Sequence, residues 1–187
     1  MAAGLTRPAH FTAGLTRPAL QRQEPGLREI LVWMEATALG HFMRESGPWT
    51  YAGVNLTHIL GVATFFGSIL VLDLRLLGLW RRVPIALLAA ATTPVAMVGF
   101  AIAVTSGSAL LATKATAYVD NPFLYIKFPA IALGLVNVLV LKLSSAWKAR
   151  GTRELSRAEH RQLAVMGGIS LACWLTAVSA GRLIGYW

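Results

Sequence analysis

Charge is what this chain lacks. Asp, Glu, Lys and Arg make up 13% of its 187 residues, about half the usual share of roughly 25% in a soluble domain. None of these residues occurs from Ser46 to Leu72 or from Val83 to Thr113. Acidic residues are the scarcest, 8 against 17 basic. No paired carboxylates, hydrolytic triad or glycine-rich phosphate loop can be found, which removes the usual routes to hydrolysis and nucleotide chemistry. The single cysteine, Cys173, excludes an internal disulfide. Set among Leu171, Ala172 and Trp174, it reads as inert packing. The first 26 residues lack the apolar core of a secretory signal.

Long apolar runs are what the chain has instead, at 56% apolar composition. About 20 apolar residues cross a hydrocarbon core, and four stretches meet that length: about 50–76, 83–110, 122–143 and 162–184. The third is interrupted by Lys127, and the fourth is charge-free until Arg182. The predicted fold is an all-α membrane protein, an antiparallel bundle of four spans over residues 47–187 preceded by an interfacial helix.

The net charge of +9 is unevenly placed. Arg75, Arg81 and Arg82 close the first span, and Lys142, Lys148, Arg150, Arg153, Arg157 and Arg161 occupy the loop between spans three and four. Lys and Arg in short loops favour the cytoplasmic side. Both termini are then expected on the periplasmic side of a bacterial inner membrane. A basic rim able to touch anionic lipid accounts for the charge without nucleic acid.

Residues 1–26 differ from the rest. Ala3–Ala9 (Ala-Gly-Leu-Thr-Arg-Pro-Ala) recurs word for word as Ala13–Ala19. Two Pro- and Gly-containing copies bury too little to form a solenoid, so an extended or disordered tail is expected, one that orders on a partner or precedes a downstream start codon. From 27 to 46, Ile30, Leu31, Met34, Ala38, Leu39 and Phe42 recur at helical spacing among polar residues. That pattern predicts an amphipathic helix lying in the outer interface, ended by Gly47 and Pro48. Within the spans, Pro94 predicts a kink near Ala90. Gly168, Ala172, Thr176 and Ala180 form a row of small residues expected to seat span four on another helix.

Three ionisable groups fall at similar depth in the outer third: His58, Lys127 and Arg182. Asn55, His58, Gly61, Phe65 and Ser68 share one face of span one; Lys127, Ala130, Gly134 and Asn137 share one of span three. Lipid offers such groups no partner, so these faces are expected to turn inward. His58 is then either a hydrogen-bonded core residue, with the two cations snorkelling to the interface, or a ligand in a polar pocket. In the pocket reading Asn55 steadies the ring, and Lys127 and Arg182 neutralise propionates, a quinone oxygen or another anion. His41 would be the second ligand of a haem b, and His41, Met43 and His58 a set suited to copper. Glu35 and Asp73 fall on opposite sides of the membrane and cannot act together.

The segment His58-Ile-Leu-Gly61 with Gly67, and Asn121-Pro-Phe-Leu-Tyr-Ile-Lys127 leading to Asn137, is similar to bacterial four-helix proteins related to the copper-resistance D family. The stretch Asp73-Leu-Arg75-Leu-Leu-Gly78 resembles more closely an uncharacterised inner-membrane family of this size. The resemblance spans Trp49 to about Ser145. It implies a periplasm-facing site for copper or a redox cofactor, with His58 and Lys127 at matching positions, although the metal-rich segments of the copper-resistance proteins are missing. The expected function is therefore a non-hydrolytic membrane protein binding a metal or redox cofactor. The alternative is an accessory subunit of a larger energy-transducing complex, with other membrane subunits as partners and no cofactor of its own.

Overall fold

The computed structural model describes residues 25–186, so the tandem repeat lies outside the described residues. Two short helices come first, α1 (Pro25–Ala36) and α2 (Ala38–Glu45). Where the pattern predicts one helix over 27–46, the chain breaks at Thr37. Its backbone is extended, and its hydroxyl oxygen accepts from the Gly40 amide at 3.3 Å, capping α2. That is the usual satisfaction of an otherwise orphaned amide at a helix start. Gly47 then turns the chain with φ of +79°, and Pro48 opens α3.

Four long helices follow: α3 (Gly47–Leu76), α4 (Ile85–Thr113), α5 (Pro122–Leu143) and, after the short α6 (Ser145–Ala149), α7 (Arg157–Leu183). All four are long and apolar enough to cross a bilayer, and they form a packed all-helical bundle. Between 22% and 33% of each apolar window is buried, so most of the spanning surface is left for lipid. Leu56, Ile59, Leu60, Met97 and Leu133 are among the exposed apolar side chains. The fourth helix begins earlier than its apolar run. Ser156 and Glu159 form a reciprocal capping box, and Arg153 pairs with Glu159 at 2.6 Å, extending α7 beyond the apolar window. Helix α4 runs through Pro94 as one element, with the Thr92 hydroxyl donating to the Leu88 carbonyl at 2.9 Å.

The bundle consists of two hairpins. Helix α3 packs on α4, α5 packs on α7, and the hairpins meet across α3 and α7. Glycine sets the first contact. A Cβ on Gly99 would stand 2.5 Å from the Phe65 amide nitrogen, and one on Gly61 2.9 Å from that of Ala103. In the second hairpin Gly134 lies under the Trp174 ring. At mid-height Phe65, Phe100 and Trp174 interlock, with Phe65 edge-on to the indole at 4.6 Å between ring centroids.

The buried row of α7 differs from the expected small-residue stripe. Ala172 and Thr176 are exposed, and the residues turned inward are Leu163, Gly167, Ser170, Trp174, Ala177 and Ala180. A strict four-residue step advances about 400° at 3.6 residues per turn. The stripe therefore drifts off the contact, whereas alternating steps of three and four stay on it.

At the end of the bundle carrying α1 and α2, Leu31 is buried with Ala115, Val119 and Leu124. Glu35 accepts from the Thr116 amide at 2.9 Å and hydroxyl at 2.7 Å. These bonds hold the Glu35 carboxyl below its ordinary range, with Arg44 adding to the effect. The amphipathic segment thus caps the turn Ala115–Tyr118 between α4 and α5.

Candidate functional site

His58 is half-buried on the α3 face turned to α4. Its Nδ1 lies 3.0 Å from the Ala103 carbonyl oxygen and 3.2 Å from Ser106 Oγ. The close approach of α3 and α4 at Gly61 and Gly99 brings that backbone within reach. Ser106 is buried and donates its own proton to the Ile102 carbonyl. Both groups facing Nδ1 therefore act as acceptors, so Nδ1 carries the hydrogen and Nε2 the lone pair. This is the arrangement in which a backbone carbonyl fixes the tautomer of an imidazole whose other nitrogen is left to bind something. Among the described residues Nε2 has no hydrogen-bond partner.

The ring fits because position 107 is glycine: a Cβ there would lie 2.8 Å from Cε1. Lys127 of α5 is half-buried, its ammonium close to where a Cβ of Gly181 on α7 would stand, at 3.4 Å. The neighbours of His58, namely Ala103, Ser106 and Gly107, belong to the first hairpin, and Lys127 and Gly181 meet within the second.

The remaining residues singled out in the sequence lie elsewhere. Asn55 is half-buried one turn before His58, but the ring reaches across to α4 for its partner rather than back along α3. Arg182 is exposed, donating to the Tyr186 hydroxyl at 2.5 Å with its guanidinium 4.8 Å from that ring. His41 is exposed while Met43 is buried at 3% exposure. Two residues two apart on a helix point to opposite sides, so they do not close on one ion. Among the described residues no three His, Cys, Asp or Glu side chains gather into a metal set.

The residues that sequence reasoning missed are Ala103, Ser106 and Gly107. The backbone carbonyl of Ala103 has no sequence signature. The polar run Thr105–Ser108, in an otherwise apolar span, was the readable signal.

A helical, multi-pass membrane fold is the class these features define. Residues 30–187 match a family of unknown function, DUF6644, and the chain belongs to that family. No curated protein and no solved structure matches the chain.

Proposed function

We propose that the protein is a non-hydrolytic inner-membrane protein whose periplasm-side pocket binds a small redox cofactor of the quinone class between His58 and Lys127. The observation that carries this reading is the fixed tautomer of His58. With Nδ1–H held by Ala103 and Ser106, Nε2 can accept a hydrogen bond from a ligand hydroxyl. Lys127 supplies a donor and a positive charge for a carbonyl or phenolate oxygen. The resemblance to copper-resistance D relatives points to the same pair of positions.

Copper and haem b fit less well. Copper favours several soft or imidazole ligands, and His41 and Met43 are not presented together to His58. A haem held by two histidines lacks its second ligand for the same reason. The residues present suit a ligand held by hydrogen bonds and one cation. The basic loops then face the cytoplasm and both termini the periplasm, by the distribution of Lys and Arg.

The test is binding. Purified protein titrated with a short-tailed benzoquinone or naphthoquinone should bind it saturably, and His58→Ala and Lys127→Leu should each weaken binding at least tenfold while the fold is retained. A chain that carries no quinone from the membrane and binds none when offered overturns the reading. Copper bound at one equivalent, or a haem spectrum removed by His58→Ala, would replace it with a metal site.

The accessory-subunit reading is favoured by one observation. An open groove of about 740 Å³ between α5 and α7 is lined by Leu133, Val136, Val165, Ile169 and Cys173, an apolar surface suited to a helix of another subunit. Cys173 shielded from a lipid-soluble maleimide in native membranes, and reactive once purified, would support that role.

A further inference from the structure

Asp73 sits one turn from the end of α3, about 22 Å along the helix from His58 at 1.5 Å per residue. It is 3% exposed, and its Oδ2 has no hydrogen-bond partner among the described residues. The backbone of α7 comes close at this point, since a Cβ on Gly167 would stand 3.2 Å from the Asp73 carbonyl oxygen. The buried hydroxyl of Ser170 is the polar side chain set against the carboxyl.

Among the described residues no cation pairs with this acid. Arg75, two residues on, is turned to the loop, with Nε donating to the Val83 carbonyl at 2.6 Å and a terminal nitrogen to that of Arg81 at 3.2 Å. Arg81 in turn donates to the Gly78 carbonyl. Helix α4 contains no charged residue, and α7 has none from Gln162 to Gly181. The charged residues of α2, Arg44 and Glu45, and its His41 lie at the opposite end of α3. The core beside Asp73 runs from Leu72 and Leu76 to Leu141, Ala146, Trp147 and Leu163 beneath the basic loops. Of the cations on α5 and α6 and just after, Lys142 and Lys148 are exposed, and Arg150 donates to the Trp147 carbonyl and lies over that ring.

An ionised carboxylate without a counter-ion is not sustained in such a place, because burial removes its water and nothing replaces it. A metal cation would need a shell of several oxygens, and Asp73 and Ser170 are the side chains that face each other here. A proton needs only the carboxylate.

We propose that Asp73 is a proton-binding site in the half of the bundle next to the basic loops, held as a neutral carboxylic acid in the resting protein with Ser170 as its hydrogen-bonding neighbour. This is independent of any cofactor at His58.

The chain makes the test clean, because Asp73 and Asp120 are its two aspartates. Protein carrying ¹³C-carboxyl aspartate, reconstituted in lipid, is examined by infrared spectroscopy at neutral pH. A carboxylic acid C=O band that shifts with the label and with deuteration is expected. It should persist in Asp120→Asn, disappear in Asp73→Asn, change frequency in Ser170→Ala, and bleach reversibly as pH is raised. Replacing sodium by potassium should leave it unchanged. A label-sensitive signal from ionised carboxylate alone at neutral pH, a band lost in Asp120→Asn, or one that follows the cation overturns the proposal. Should Asp73→Asn fail to fold, the labelled wild type and Asp120→Asn still decide it.

Discussion

Gly107 stands against the His58 ring, where a Cβ would come within 2.8 Å of Cε1 and 3.2 Å of Nδ1. The ring is held by Ala103 and Ser106 and cannot yield without losing those bonds. Gly107→Ala is expected to cost about 1–3 kcal/mol through overpacking and to weaken quinone binding. Gly181→Ala should be tolerated, since its Cβ would meet the flexible end of Lys127 at 3.4 Å. Thermal unfolding in detergent together with quinone titration checks both. Equal behaviour of the two variants would show that the ring is not held as described.

The α3–α4 contact predicts a contrast among glycines. A Cβ at Gly99 would meet the Phe65 amide nitrogen at 2.5 Å and the Gly61 carbonyl at 2.9 Å, both backbone atoms that cannot swing away. Gly99→Ala should destabilise by about 1–3 kcal/mol or more. Gly53 and Gly67 have nothing within 4 Å, so Ala at either should be neutral or add up to roughly 1 kcal/mol of helix propensity. Unfolding midpoints of the three variants measure the difference.

Helix α7 offers a similar comparison. Ala172 is exposed and Ala177 is 6% exposed within the central aromatic cluster. Ala172→Leu is expected to leave detergent stability unchanged. Ala177→Leu should lower it by about 1–3 kcal/mol. The reverse order would mean that the helix is rotated from its position here.

Acid should loosen the cap formed by α1. The folded-state value of Glu35 is depressed by the Thr116 amide and hydroxyl and by Arg44. A depressed carboxyl contributes stability that is fully present above its unfolded value and lost as pH falls through its folded one. The protection of the Thr116 amide, its exchange slowed relative to a free amide at the same pH, should therefore fall as the medium becomes acidic. In Glu35→Ala that protection should be low at every pH. Unchanged protection in that variant would remove Glu35 as the clasp.

The orientation is checked by single cysteines in a Cys173→Ser background. Ala117 lies in the turn between α4 and α5, and Thr152 in the loop before α7; both are exposed. Ala117→Cys should react with a membrane-impermeant maleimide in intact cells, and Thr152→Cys only after the membrane is opened. Labelling of Thr152→Cys in intact cells would invert the bundle.

The spans were readable because lipid imposes one demand, some 20 residues without charge, and the chain meets it four times. The helix boundaries were less so: the Thr37 break and the early start of α7 depend on single hydroxyls satisfying single amides. His58 and Lys127 stood out as charge-capable residues in apolar runs. What surrounds them did not, because a backbone carbonyl at Ala103 and absent side chains at Gly107 and Gly181 are set by how helices cross rather than by residue type. Asp73 was hidden differently. Next to Arg75, Arg81 and Arg82 it reads as the rim of a loop, yet α3 continues to Leu76 and carries it inside.

That His58 and Lys127 lie on different hairpins has a consequence for how the protein is made. The hydrogen bonds of His58 lie within α3 and α4, so that half is complete once the first hairpin has entered the bilayer. Lys127 belongs to chain synthesised later, and a ligand held between it and the imidazole, as proposed above, would need the second hairpin docked. Capture of a ligand there would report the end of assembly, and a protein stalled between insertion and docking would carry the histidine without its cation.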